Sequence, residues 1–112
     1  MDYPYLALSD NTFGCAGYCS RPIDYGVDIV LHSATRWIGG HGTTLGGVIV
    51  DGSTFNLGSH ADKFPQFHAD GAEDGGGEVS LWKMFGSRAF AMRCQLEVLR
   101  HIGSTMCPQA AQ

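Results

Sequence analysis

The chemistry-bearing residues of this chain crowd into one stretch, residues 10–47. Asp10, Asn11 and Thr12 follow one short apolar run; His32, Ser33, Ala34, Thr35, Arg36 and Trp37 follow a second, ahead of the loop Gly39, Gly40, His41, Gly42, Thr43 and Thr44. Open α/β sheets bind ligands just past the ends of buried strands, so a carboxylate at one strand end and hydroxyls at another mark a candidate ligand site. Arg36 adds a guanidinium, which can fork its hydrogen bonds to a phosphate. Taken singly, Asp10, Asn11 and Thr12 are equally what a turn uses, because such side chains bond their own backbone. Their combination with Ser33, Thr35 and the glycine loop is what singles the region out.

Two other chemistries fit less well. Cys15 and Cys19 are separated by three residues, twelve more precede His32, and eight separate His32 from His41. The first two gaps suit a zinc finger, but the last exceeds the usual three to five, so no metal ligand is assigned. The glycine loop lacks the Gly-Lys-Ser or Gly-Lys-Thr that a phosphate loop needs. His60 and His68 are expected on solvated surface and His101 at a helix end. Cys15, Cys19, Cys94 and Cys107 are expected to be free thiols, being too few and too unevenly placed for a disulfide scaffold.

The elements that must position these residues follow from apolar periodicity. Residues 5–9, 27–32 and 47–50 read as short, nearly fully buried strands bounded by Asp, Asn and Gly. Across 81–102, Trp82, Phe85, Ala89, Met92, Leu96 and Leu99 recur at alternating steps of three and four, one stripe of a helix about 33 Å long. Ser80 suits its start, Arg100 and His101 its negative end, and Gly103 its left-handed stop, with Pro108 beyond. Gly86 inside it is expected to permit close approach of a neighbouring backbone. Residues 51–79 show no sustained period and contain Pro65, a long interruption for a compact domain. The expectation is a chain that is part of a larger fold or depends on a partner.

Composition narrows the classes. Of 112 residues, 16 are glycine, and 7 basic against 11 acidic side chains give a net charge of −4, which disfavours nucleic acid as a partner. Hydrophobic residues at 44% against 16% charged leave too apolar a chain for intrinsic disorder. No apolar run reaches the roughly 18 residues of a membrane span, and the first residues do not form a signal peptide. An intracellular, cytoplasmic protein is expected.

The run Asp10, Asn11, Thr12, Phe13, followed by Arg21, Pro22, Ile23, Asp24 and Gly26, then by residues 32–42 and 46–50, resembles the pyridoxal-phosphate enzymes of cysteine and methionine metabolism, the O-acetylhomoserine sulfhydrylases above all. The resemblance implies an α/β fold, part of a fold type I (aspartate-aminotransferase-like) domain, with few strands plus one long helix. Residues 1–112 would be a central fragment of the large cofactor-binding domain. It also implies homo-oligomers with shared active sites, an amino-acid substrate, and replacement of the acetate of O-acetylhomoserine by sulfide or a thiol.

Residue by residue, Asp10 matches the aspartate that bonds the protonated pyridine nitrogen, where an anion keeps the ring cationic and able to accept electrons. Ser33 and Thr35, two apart on a backbone expected to be extended and therefore on one side, match the hydroxyls that bind the phosphate. Thr12 matches a position touching the ring. The family has lysine where this chain has Arg36. Lysine's neutral amine forms the Schiff base, whereas a guanidinium with a pKa above about 12 offers no free amine. The resemblance thus implies cofactor-binding residues Asp10, Thr12, Ser33, Thr35 and Arg36, pyridoxal phosphate held noncovalently or not at all, no catalytic residue, and no activity of this chain alone. The alternative is a noncatalytic chain that docks with intact family subunits through the helix stripe, or, further off, a small zinc module.

Overall fold

A computed structural model describes residues 4–68 and 80–112. They divide into two units, Tyr5–Gly52 with Ser104–Gln112, and Ser53–Gly103 with Pro4.

The first unit is built on a three-stranded sheet of strands β1 (Leu8–Asp10), β2 (Ile29–Ser33) and β3 (Gly47–Asp51), in that spatial order. All three expected strands are present, with boundaries moved by up to three residues. β1 and β2 are parallel, pairing Leu8 with Ile29 and Asp10 with Leu31; β3 is antiparallel to β2, pairing Ser33 with Gly47. The ends of β1 and β2 and the start of β3 therefore share one edge of the sheet. The expectation of three nearly buried strands holds only for β2, where Ile29 and Val30 are each 1% exposed. In β3, Val48, Ile49 and Val50 are exposed, and Leu8 of β1 is too. The reason is position: β2 is the central strand, whereas β1 and β3 each have a hydrogen-bonded neighbour on one side only.

After β1 the chain makes a tight turn over Thr12–Gly17, in which Cys15, Ala16 and Gly17 all have left-handed backbones, with φ of 50°, 55° and 93°. Asn11 is buried at the start of this turn, and its side-chain amide donates to the Ser20 carbonyl at 2.8 Å. A Cβ on Gly14 would fall 2.2 Å from the Asn11 side-chain oxygen, so glycine there is what lets Asn11 staple the turn.

The second unit has its core where the sequence pattern shows least order. Residues 51–68, expected to be loop, supply Leu57 and Phe67, which cluster with Ala89 and are flanked by Phe55, Phe64, Leu81, Trp82 and Phe90. Short turns at Leu57–His60 and Pro65–Phe67 present them. Such tight single turns carry no 2- or 3.6-residue period, so the pattern hides them. The histidines expected in solvent are half-buried: the His60 ring stacks on Phe55 with centroids 5.2 Å apart, and His68 Nε2 lies 2.9 Å from the Leu57 carbonyl. The rest of that loop, residues 69–79, lies outside the described residues.

The helical stretch over 81–102 is present but not continuous. Helix α1 (Leu81–Phe85) ends at Gly86, a tight turn over Gly86–Arg88 follows, and then come α2 (Ala89–Arg93), a wider-wound segment Cys94–Leu99, and α3 (Arg100–Ile102). Gly86 was expected to admit a neighbouring backbone, from this chain or another; among the described residues nothing lies within 4 Å of where its Cβ would be. Within the chain it is needed for its φ of 53°, which breaks the helix. Both ends behave as expected. The Ser80 hydroxyl accepts from the Lys83 amide at 3.4 Å and donates to the Phe67 carbonyl at 3.0 Å. At the other end, left-handed Gly103 donates its N–H to the Leu99 carbonyl at 2.8 Å. Within the stripe, Ala89 is fully buried while Leu96 and Leu99 are exposed.

One glycine in this unit has a packing role. A Cβ on Gly58 would sit 2.6 Å from the Trp82 ring. Gly58→Ala is expected to force that indole aside and destabilise the chain by about 1–3 kcal/mol, the usual cost of overpacking. Urea unfolding followed by tryptophan fluorescence measures it; a midpoint equal to the parent's would mean that Trp82 moves freely.

Candidate functional site

The shared edge of the sheet positions the site. β1 delivers Asp10 as its last residue and β2 delivers Ser33 as its last, and each strand then passes into a turn. After β1, the Thr12 hydroxyl and backbone N–H both donate to Asp10 Oδ1, at 2.6 and 2.9 Å. The bland turn geometry leaves room for a ligand, because both bonds fall on one carboxylate oxygen and no described residue donates to Oδ2. The Thr12 hydroxyl, and after it the Thr12 amide, outweigh desolvation and hold the Asp10 carboxyl below the usual carboxylate range, with a smaller lowering from nearby His32. Asp10 is an anion at neutral pH.

After β2, the backbone does not stay extended. Ser33 keeps a strand conformation, but Ala34–Ile38 winds into one wide helical turn closed by the Gly39 N–H to the Ala34 carbonyl at 2.9 Å. This corrects the expectation that Ser33 and Thr35 share a side through strand alternation: once the turn begins at Ala34, the two-residue period no longer applies. The Thr35 hydroxyl accepts from the Gly46 N–H at 2.9 Å and lies 3.3 Å from the Gly46 carbonyl, tying this turn to the start of β3.

A cleft of about 680 Å³ opens at this edge, lined by Asp10, Thr12, Phe13, Thr35, Arg36, Trp37, Gly40, His41 and Gly42. Its volume lies within the usual range for small-molecule sites. Four of the five residues singled out from sequence, Asp10, Thr12, Thr35 and Arg36, meet in its wall; Ser33 is not among the lining residues. Phe13, Trp37 and His41 join them without having been assigned a role from sequence. Phe13 and Trp37, both exposed, each directly follow a site residue, Thr12 and Arg36, and that placement is the signal that marks them. Among the described residues, no group of three or more His, Cys, Asp or Glu side chains is arranged to hold a metal ion, so Cys15 and Cys19 do not combine with His32 and His41.

The donors suit one end of pyridoxal phosphate well. A free carboxylate oxygen fits a protonated ring nitrogen, and the Arg36 guanidinium supplies the positive charge a phosphate needs. Among the described residues, His32 Nδ1 is buried with no hydrogen-bond partner. Covalent attachment at residue 36 does not fit, and the chain's two lysines, Lys63 and Lys83, are not among the lining residues.

Residues 3–112 match the family described as Cys/Met metabolism PLP-dependent enzyme, and the chain belongs to it. Within the family it is 62% identical over 105 residues to a sulfhydrylase-like protein of Epichloe uncinata, covering 94% of this chain and 21% of that protein. It is 48% identical over 101 residues to the homocysteine synthase of Schizosaccharomyces pombe, covering 90% of this chain and 23% of that one. To O-acetyl-L-homoserine sulfhydrylase 1 of Thermus thermophilus the identity is 36%, again over 101 residues, 90% of this chain and 23% of the other. The chain thus spans between a fifth and a quarter of the length of these curated relatives. Among the described residues no helix is long and apolar enough to cross a membrane.

Proposed function

We propose that this chain is a central portion of the large, fold type I domain of an O-acetylhomoserine sulfhydrylase-like protein, that it cradles pyridoxal phosphate noncovalently, and that Arg36 leaves it without catalysis of its own. The supporting observation is the Asp10 carboxylate, with Oδ1 pinned by Thr12 and Oδ2 free, in a cleft shared with Thr35 and Arg36. When bound, the cofactor supplies an electron sink for bonds broken at the alpha carbon of an amino acid.

The chain's own residues divide the remaining work. Asp10 holds the proton of the ring nitrogen. Arg36 offsets the phosphate charge but cannot give up a proton near neutral pH. Phe13 and Trp37 line the cleft and would offer aromatic surface to the ring. No residue of the cleft provides the neutral amine that would attach the cofactor and move the alpha proton. By resemblance, the reading carries with it an amino-acid substrate and a homo-oligomeric parent protein; a cytoplasmic location is proposed from the residue pattern.

The test is an assay of the purified 112-residue chain with pyridoxal phosphate, O-acetylhomoserine and sulfide. The expected result is saturable cofactor binding, seen as quenching of tryptophan fluorescence, with homocysteine formation no faster than with free cofactor. Sustained homocysteine production by the unmodified chain would overturn the reading.

A further inference from the structure

We propose that Cys15 and Cys19 form a peroxide-sensitive thiol pair that closes into an intrachain disulfide on the turn after β1. All four cysteines are free in the reduced chain. What sets this pair apart is the turn. The Cys19 N–H reaches back to the Gly14 carbonyl at 3.1 Å and the Tyr18 N–H to the Cys15 carbonyl at 3.0 Å, folding five residues onto themselves. The left-handed backbones of Cys15, Ala16 and Gly17 tighten this reversal and bring the two thiols close enough to influence each other, while the Cys15 thiol donates to the Phe13 carbonyl at 3.9 Å. A left-handed conformation is unfavourable for Cys15 and Ala16, so the geometry is held by its surroundings, among them the buried Asn11 staple.

The pair is also asymmetric. Cys19 is exposed and Cys15 half-buried. Peroxide therefore meets Cys19 first, and the neighbouring Cys19 thiol, and then burial, push the Cys15 thiol up, which suits Cys15 to the second step. In that step the Cys19 sulfur attacks a peroxide oxygen: an S–O bond forms, the O–O bond breaks, and the departing hydroxide leaves as water with a proton, giving a sulfenic acid. In the second, the Cys15 sulfur attacks the Cys19 sulfur: the S–S bond forms, the S–O bond breaks, and hydroxide leaves as water with the Cys15 proton. Two thiols and one peroxide become one disulfide and two waters. The ring so formed lies just beyond Thr12 and Phe13 of the cleft wall.

The experiment exposes the full-length reduced chain to hydrogen peroxide, blocks remaining thiols by alkylation and digests with trypsin. Because Arg21 is followed by Pro22, one peptide ending at Arg36 carries both cysteines and no other. That peptide is expected to escape alkylation and lose about two mass units before the peptides of Cys94 and Cys107 change. Cys15→Ser is expected to leave Cys19 trapped as a sulfenic acid by dimedone, and Cys19→Ser to leave Cys15 alkylatable. Disulfide formation at the same rate in urea would overturn the proposal, since the turn would then contribute nothing, as would preferential pairing of Cys15 or Cys19 with Cys94 or Cys107. None of these readouts depends on cofactor binding.

Discussion

Arg36→Lys is expected to convert a chain that takes up pyridoxal phosphate only reversibly into one that carries it covalently. After incubation with cofactor and reduction with borohydride, the added mass should appear on residue 36 of the variant and be absent from that position in the parent and in Arg36→Gln. The physical argument is protonation. A guanidinium stays charged at every accessible pH, whereas an amine placed beside a cationic ring and a phosphate site has a neutral fraction that can attack an aldehyde. Residue 36 is exposed and its side chain lines the cleft, so the exchange should leave stability within about 0.5 kcal/mol. An adduct found on Lys63 or Lys83 of the variant, with none at residue 36, would show that the cofactor does not lodge in this cleft.

The sequence made the site legible more readily than the core, for a physical reason. Asp10 and Thr12 sit at a strand end, and a carboxylate two residues before a hydroxyl makes its own local hydrogen bonds, 2.6 and 2.9 Å long here, whatever surrounds it. The caps at Ser80 and Gly103 are local in the same sense. Leu57 and Phe67 are different: they reach the core from single turns between Asn56 and His68, where no period announces burial, and they are buried because Ala89 and Trp82 come to them from further along the chain. Gly86 misled in the opposite direction. Its neighbours keep a helical stripe, but a φ of 53° cannot be read from side-chain pattern, and it breaks the helix without disturbing the spacing of Trp82, Phe85 and Ala89. Ser33 and Thr35 show where a local rule expires: alternation holds to the last residue of β2 and fails one residue later, when the backbone turns to meet Gly46.

The second large effect is expected at Asp10. Asp10→Asn keeps the shape of the side chain but removes the charge that faces a cationic ring nitrogen, and the affinity for pyridoxal phosphate should fall by about 10- to 100-fold, the usual worth of a charge-assisted hydrogen bond. Thr12→Val acts on the same carboxylate in a different way. In the folded parent, the Thr12 hydroxyl is the foremost cause of the lowered Asp10 pKa, so the carboxylate stays charged to lower pH than an ordinary one, and binding is expected to persist with it. A pKa lower in the folded than in the unfolded state contributes stability that is present above the unfolded value and lost as pH falls through the folded one. Loss of the hydroxyl raises the folded pKa towards the unfolded one. The acid limb of cofactor binding should therefore move to higher pH in Thr12→Val, and the acid-side loss of stability should shrink, while Thr12→Ser, which keeps the hydroxyl, should track the parent. Titration of the Asp10 carboxyl by NMR alongside cofactor binding at each pH separates the two variants. Asp10→Asn binding as tightly as the parent would remove Asp10 from the site, and an acid limb that stays in place in Thr12→Val would mean that the two hydrogen bonds to Oδ1 shape the turn without tuning the charge.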